Sequence, residues 1–88
     1  MFTDVQPQYH FWVCDGKVLK NIQELQSALK QMSNETYSYH ANNEKNDFAN
    51  WVNDILGNAD LAQKLRSARS EQEAAKAVGN TIKAVRRK

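Results

Sequence analysis

One cysteine, one proline and three isolated glycines are all that the 88 residues hold of the types that most often staple, break or turn a chain. With Cys14 alone no disulfide closes within the chain, so packing must hold the fold and a reducing compartment is expected. The scattered glycines exclude a phosphate-cradling loop, and no Walker or calcium-loop motif occurs. No apolar run approaches the roughly 18–20 residues that span a bilayer. The opening "MFTDVQPQYH" lacks the basic start and apolar centre of a signal peptide, so a cytoplasmic protein without membrane contact is expected.

What is present reads as one globular domain over residues 1–88. Hydrophobic residues make up 41% of the chain, with two Trp, three Tyr and three Phe, well above the content of disordered chains. A core this small loses a large share of itself to a deep pocket, which argues against an enzyme with an enclosed substrate and for a surface activity. Charge is uneven. Residues 1–57 hold four Lys and Arg against seven Asp and Glu, whereas residues 58–88 hold eight against three.

The predicted fold class is mainly α, or α+β by strict count: a short N-terminal β-hairpin packed on a compact bundle of four to five short helices. Pro7 ends a lead-in, residues 1–8, expected to be flexible. "YHFWVCDGKVLK" predicts two short strands joined at Asp15-Gly16, a pair suited to a two-residue turn. Alternation puts Tyr9, Phe11 and Val13 on one face and His10, Trp12 and Cys14 on the other, and one face should lie on helices.

Asn21 and Glu24 form a capping-box-like pair before a helix whose core face is Ile22, Leu25, Leu29 and Met32, with Gln23, Gln26 and Lys30 toward water. Ser33 caps a short helix over 34–42 that gathers Tyr37, His40 and Ala41, although "TYSYH" also alternates like a strand. After the loop "NNEKN", the helix from Asp47 to Leu56 buries Phe48, Ala49, Trp51, Val52, Ile55 and Leu56, and Gly57 ends it. Asn58 caps the next helix, through Leu61, Ala62 and Leu65. "SEQE" at Ser70 to Glu73 caps the last, which buries Ala74, Ala77, Val78, Ile82 and Val85. Gly79 weakens that helix by about 1 kcal/mol, so either another backbone packs close to it or the basic end, residues 86–88, frays.

The stretch "YHANNEKNDFANWV", preceded by "VLKNIQELQSALKQMSNETY" and followed by "ILGNADLAQKL", resembles a family of small prokaryotic domains of unknown function, widespread in archaea and also found in bacteria. The resemblance spans residues 11 to 75. It is carried by Tyr39 and His40, by Asn46, Asp47, Phe48, Ala49 and Trp51, and by Gly57, Leu61 and Ala62. It implies a small helical fold and no established reaction, substrate or cofactor.

Physically, the block reads as a polar clasp: Asn46 or Asp47 caps the Trp51 helix, His40 donates to that carboxylate, and Tyr39, Phe48 and Trp51 pack beneath. The competing reading gathers His40, Asn46 and Asp47 in a notch that binds a ligand or does acid–base work. No activated nucleophile accompanies them. His10, Cys14 and His40 have nonstandard zinc spacing and fall short of four ligands, so no metal or cofactor is expected.

Two functions follow. The first is a non-enzymatic interaction or regulatory module that binds another protein or itself, with Trp12 as the exposed contact. The second is weak, sequence-tolerant nucleic-acid binding, with Lys76, Lys83, Arg86, Arg87 and Lys88 on phosphates. The bland account of that basic end is a helix terminus whose cations complement its dipole.

Overall fold

A computed structural model describes residues 4–42 and 44–86, with side chains up to residue 84. It has five helices and an N-terminal antiparallel hairpin, in agreement with the sequence. The strands are β1, Phe11–Trp12, and β2, Val18–Leu19, with Phe11 opposite Leu19 and Trp12 opposite Val18. The helices are α1, Ile22–Gln31; α2, Asn34–His40; α3, Asp47–Asp54; α4, Ala59–Ser67; and α5, Glu71–Arg86.

Every helix start with described cap geometry uses a short polar side chain. Asn21, Ser33, Asn46 and Asn58 each accept the backbone N–H three residues on, and Ser70 does the same for Glu73. Glu24 and Glu73 then reach back to the amides of Lys20 and Arg69, so two starts are closed from both sides. The 34–40 segment is a helix, not a strand, because Ser33 captures the Thr36 amide and the helical period buries Tyr37 and His40 together. At Gly57 the φ of +69° is the left-handed turn that ends the α3 segment.

The hairpin corrects one expectation. Val13 N–H donates to the Lys17 carbonyl, and Gly16 N–H donates to the Val13 carbonyl. The loop is therefore three residues, Cys14, Asp15 and Gly16, with Gly16 at φ +99° as the left-handed bulge position. Phe11 and Val13 are buried and Trp12 and Cys14 are exposed, as alternation requires, but Tyr9 departs from that face. It sits in a 3₁₀ turn, Pro7–Tyr9, which removes it from the strand period. Of the lead-in, Val5 N–H donates to the Lys20 carbonyl and Asp4 accepts from the Asn21 carboxamide.

Helices α1 and α5 pack on each other, α3 packs on α4, and α4 joins the two pairs through α5, while β2 rests on α1. The core between them holds Leu25, Leu29, Phe48, Val52, Leu61, Leu65 and Val78, all fully enclosed. On α5 the buried residues are Ala74, Ala75, Val78 and Ile82; Ala77 is half-buried, and the side chain of Val85 lies outside the described part. Gln26 is half-buried, not turned to water, with its carboxamide over Gly79: a Cβ there would come within 2.5 Å of Gln26 Nε2. A side chain, not a backbone, therefore fills the space above the glycine.

Candidate functional site: the His40–Asp47 clasp

Three aromatic rings stack through the hairpin side of the core. Tyr37 lies on Phe48 at 5.8 Å between centroids and Phe48 on Phe11 at 5.2 Å, while Trp51 meets Phe11 edge-on at 5.9 Å. His40, at the end of α2, packs against Phe11 and Phe48 and is 7% exposed. A buried imidazole needs partners for both nitrogens, and His40 has them: Cys14 N–H donates to Nε2 at 3.0 Å, and Nδ1 lies 2.9 Å from Asp47 Oδ2.

The first bond decides the second. A backbone amide can only donate, so Nε2 holds a lone pair and the neutral ring carries its proton on Nδ1, which donates to Asp47. The triad of carboxylate, imidazole and partner has the outline of a catalytic relay, but the basic nitrogen is occupied by the hairpin loop. While these bonds hold, His40 has no nitrogen free to take a proton.

Asp47 is the first residue of α3, where a carboxylate also meets the positive end of the helix dipole. It binds Lys45 as well, with Nζ 3.2 Å from Oδ2, and that ammonium stands 5.0 Å from the centre of the Tyr39 ring. Capping falls to Asn46 alone. Its Oδ1 accepts from Ala49 N–H at 2.9 Å while its Nδ2 donates to the Leu65 carbonyl at 3.0 Å, so one side chain serves the start of α3 and the end of α4. Across the turn Ala41 bridges Asn46, and Asn42 Oδ1 accepts from Glu44 and Lys45 amides.

The sequence-predicted residues thus divide. His40, Asn46 and Asp47 come together beside Asn42 and residues 44–46. Trp51 joins from below through its ring contact with Phe11, and its indole N–H donates to the Tyr9 carbonyl at 2.7 Å, fastening the 3₁₀ turn to α3. Tyr39, expected beneath the clasp, meets His40 edge-on at 4.8 Å from the solvent side and is 55% exposed, because the helical period that buries Tyr37 and His40 turns residue 39 outward. The place given to Tyr39 is filled by Phe11.

Sequence reasoning missed Phe11, the Cys14 amide and Lys45. The amide is a main-chain donor 26 positions from His40 and leaves no mark on residue identity.

Of His40, Asn46 and Asp47, Asn46 alone lines the adjacent cleft. A cleft of about 620 Å³ opens between residues 44–46 and the end of α4, with Tyr37, Lys45, Asn46, Arg66 and Arg69 on its walls, but neither His40 nor Asp47 reaches it. The Tyr37 phenol is held above its ordinary value first by burial, then by the nearby carboxylates of Glu71 and Glu73. Among the described residues no group of three or more His, Cys, Asp or Glu could hold a metal ion. His10, from the weighed zinc set, instead places Nε2 3.2 Å from the Val5 carbonyl, and Cys14 has a free, exposed thiol.

Trp12, expected as a partner contact, is 69% exposed, the most open of the large apolar side chains described. Lys76 and Lys83 are exposed on α5, Arg86 is its last residue, and Arg87 and Lys88 lie outside the described residues. No described helix is long and apolar enough to cross a membrane. Comparison with protein-family models, curated proteins and solved structures finds no significant match.

Proposed function

We propose that the protein is a non-enzymatic, cytoplasmic interaction module that binds another protein, or a second copy of itself, through the outer face of its hairpin. The observation that carries this reading is the exposure of Trp12 on a strand whose other face is buried. A two-stranded ribbon has no structural need of a solvent-facing indole, and tryptophan is among the residues that contribute most when buried in an interface. Tyr9 and Tyr39 are the other exposed large apolar side chains described.

The clasp supports the same reading from the opposite direction. His40 is engaged on both nitrogens, so the one constellation that resembles acid–base machinery serves to hold the hairpin against α2 and α3. The resemblance to a small helical family carrying the Tyr39–Trp51 block also implies no reaction.

The test uses the protein with Trp51→Phe, which leaves Trp12 as the sole indole. Sedimentation across a concentration series reports self-association, and affinity capture with recombinant candidate partners reports heterologous binding. Association accompanied by a blue shift of Trp12 emission, and lost in Trp12→Ala, is expected. Association that Trp12→Ala leaves intact contradicts the assignment of this face.

A further inference from the structure

Helices α1 and α5 leave a shallow groove of about 420 Å³ along their outer seam. Three lysines stand around it: Lys30 from α1, and Lys76 and Lys83 from α5. Its remaining polar groups are carboxamides, those of Gln26, Gln72 and Asn80, and no carboxylate lines it. None of the three ammonium groups is paired with an acid among the described residues, whose ion pairs are confined to Asp47. The floor is made of Ala75 and of Gly79, over which the Gln26 amide rests.

We propose that this groove is a second binding site, independent of the hairpin face, and that it takes the phosphodiester backbone of duplex nucleic acid. The chemistry of the lining selects the ligand. Uncompensated lysines attract a polyanion, and carboxamides supply further donors to phosphate oxygens without adding negative charge. Lys76 and Lys83 are two helical turns apart, a rise of about 10 Å, comparable with about three base-pair steps along a duplex axis. No aromatic ring lines the groove, so there is no platform on which unpaired bases would stack, and that favours a duplex over a single strand.

Lys30 is the residue that turns a basic helix end into a site. It comes from a different helix, is far from the chain terminus in sequence, and belongs to the acidic half of the chain. A terminal tail attracting anions by itself would not involve it.

The experiment is fluorescence anisotropy of a labelled DNA duplex with the full chain between about 50 and 200 mM salt. Three phosphate contacts give a slope of log affinity against log salt of about −2.7, a loss of about 40-fold over that range. Lys30→Gln should make the slope shallower by about 0.9, and Lys20→Gln, an exposed lysine outside the groove, should leave it unchanged. The proposal is overturned by absence of binding at the lower salt, or by a Lys30→Gln slope equal to that of the unsubstituted protein. Tighter binding of a single strand than of the duplex, or of polyglutamate at equal charge, overturns the choice of ligand.

Discussion

The amide of Cys14 donates to Nε2 of His40 at 3.0 Å, joining the tip of the hairpin to the end of α2 across 26 positions of sequence. Isolated two-stranded hairpins are marginal in water, so this bond, the packing of Phe11 and Val13 and the rest of β2 on α1 are what keep the strands in place. His40→Ala removes a ring packed on Phe11 and Phe48 and leaves the Cys14 amide without its partner. A loss of about 2–4 kcal/mol is expected in urea unfolding. The same variant should accelerate hydrogen exchange at the Cys14 amide more than at Leu25 in the core of α1.

Asp47 acts on three neighbours at once: His40, Lys45 and the first turn of α3. Asp47→Ala should cost about 1.5–3 kcal/mol, the range for a hydrogen bond to a charged group together with a lost helix-dipole contact. Asn46→Ala removes a cap and also the donor to the Leu65 carbonyl, and should cost about 1–2 kcal/mol. Because both residues serve the same turn, the double variant should depart from additivity, which chemical denaturation of all four proteins in the cycle measures.

The two tryptophans should behave oppositely. Trp51→Phe loses the bond to the Tyr9 carbonyl and should lower stability by about 1–2 kcal/mol, whereas Trp12→Ala, on the exposed side of β1, should stay within about 0.5 kcal/mol of the unsubstituted protein. Thermal unfolding of the two variants side by side separates a framework indole from a surface one.

Tyr37 gives the fold an alkaline limit. Its phenol is held above the ordinary value of 10.0, first by burial and then by Glu71 and Glu73. The native state therefore binds that proton more tightly than the unfolded chain does. The resulting stability is full below pH 10.0 and is lost as pH rises from there through the native value. Urea midpoints followed upward from about pH 9 should fall more steeply for the unsubstituted protein than for Tyr37→Phe.

At Gly79, alanine gains about 1 kcal/mol of helix propensity and displaces only the far end of Gln26, a flexible side chain. Gly79→Ala should raise the melting temperature by up to about 4–8 °C, measured by circular dichroism.

Helix starts were legible in the residues because this chain, poor in proline and glycine, marks them with Asn and Ser, whereas α2 and α3 end two residues before the expected positions 42 and 56. Asn21, Ser33, Asn58 and Ser70 each act locally, three residues from the amide they cap. The pairing of His40 with Asp47 was legible for a similar reason, since they lie only seven positions apart. Tyr39 is exposed beside His40 and not beneath it, because the helical face that gathers Tyr37 and His40 leaves residue 39 on the outer side.

What sequence order hides is tertiary. The Cys14 amide and the Tyr9 carbonyl are main-chain groups whose partners depend on where the hairpin lands, and Phe11 enters the aromatic stack only once β1 is placed against α3. The three-residue loop depended on Val13 pairing with Lys17, which the Asp15-Gly16 pair alone does not specify. Lys30 looked like an ordinary solvent-facing residue of α1 until α5 was laid beside it.

The central claim, that the His40 cluster is a structural clasp and not an acid–base site, is tested most directly by long-range ¹H–¹⁵N correlation of the His40 ring near neutral pH. A neutral ring protonated at Nδ1, with an unprotonated Nε2 coupled across the hydrogen bond to the Cys14 amide, is the result this account predicts. A ring protonated at Nε2, or one exchanging freely between tautomers, would contradict it and return His40 to the list of groups able to move a proton.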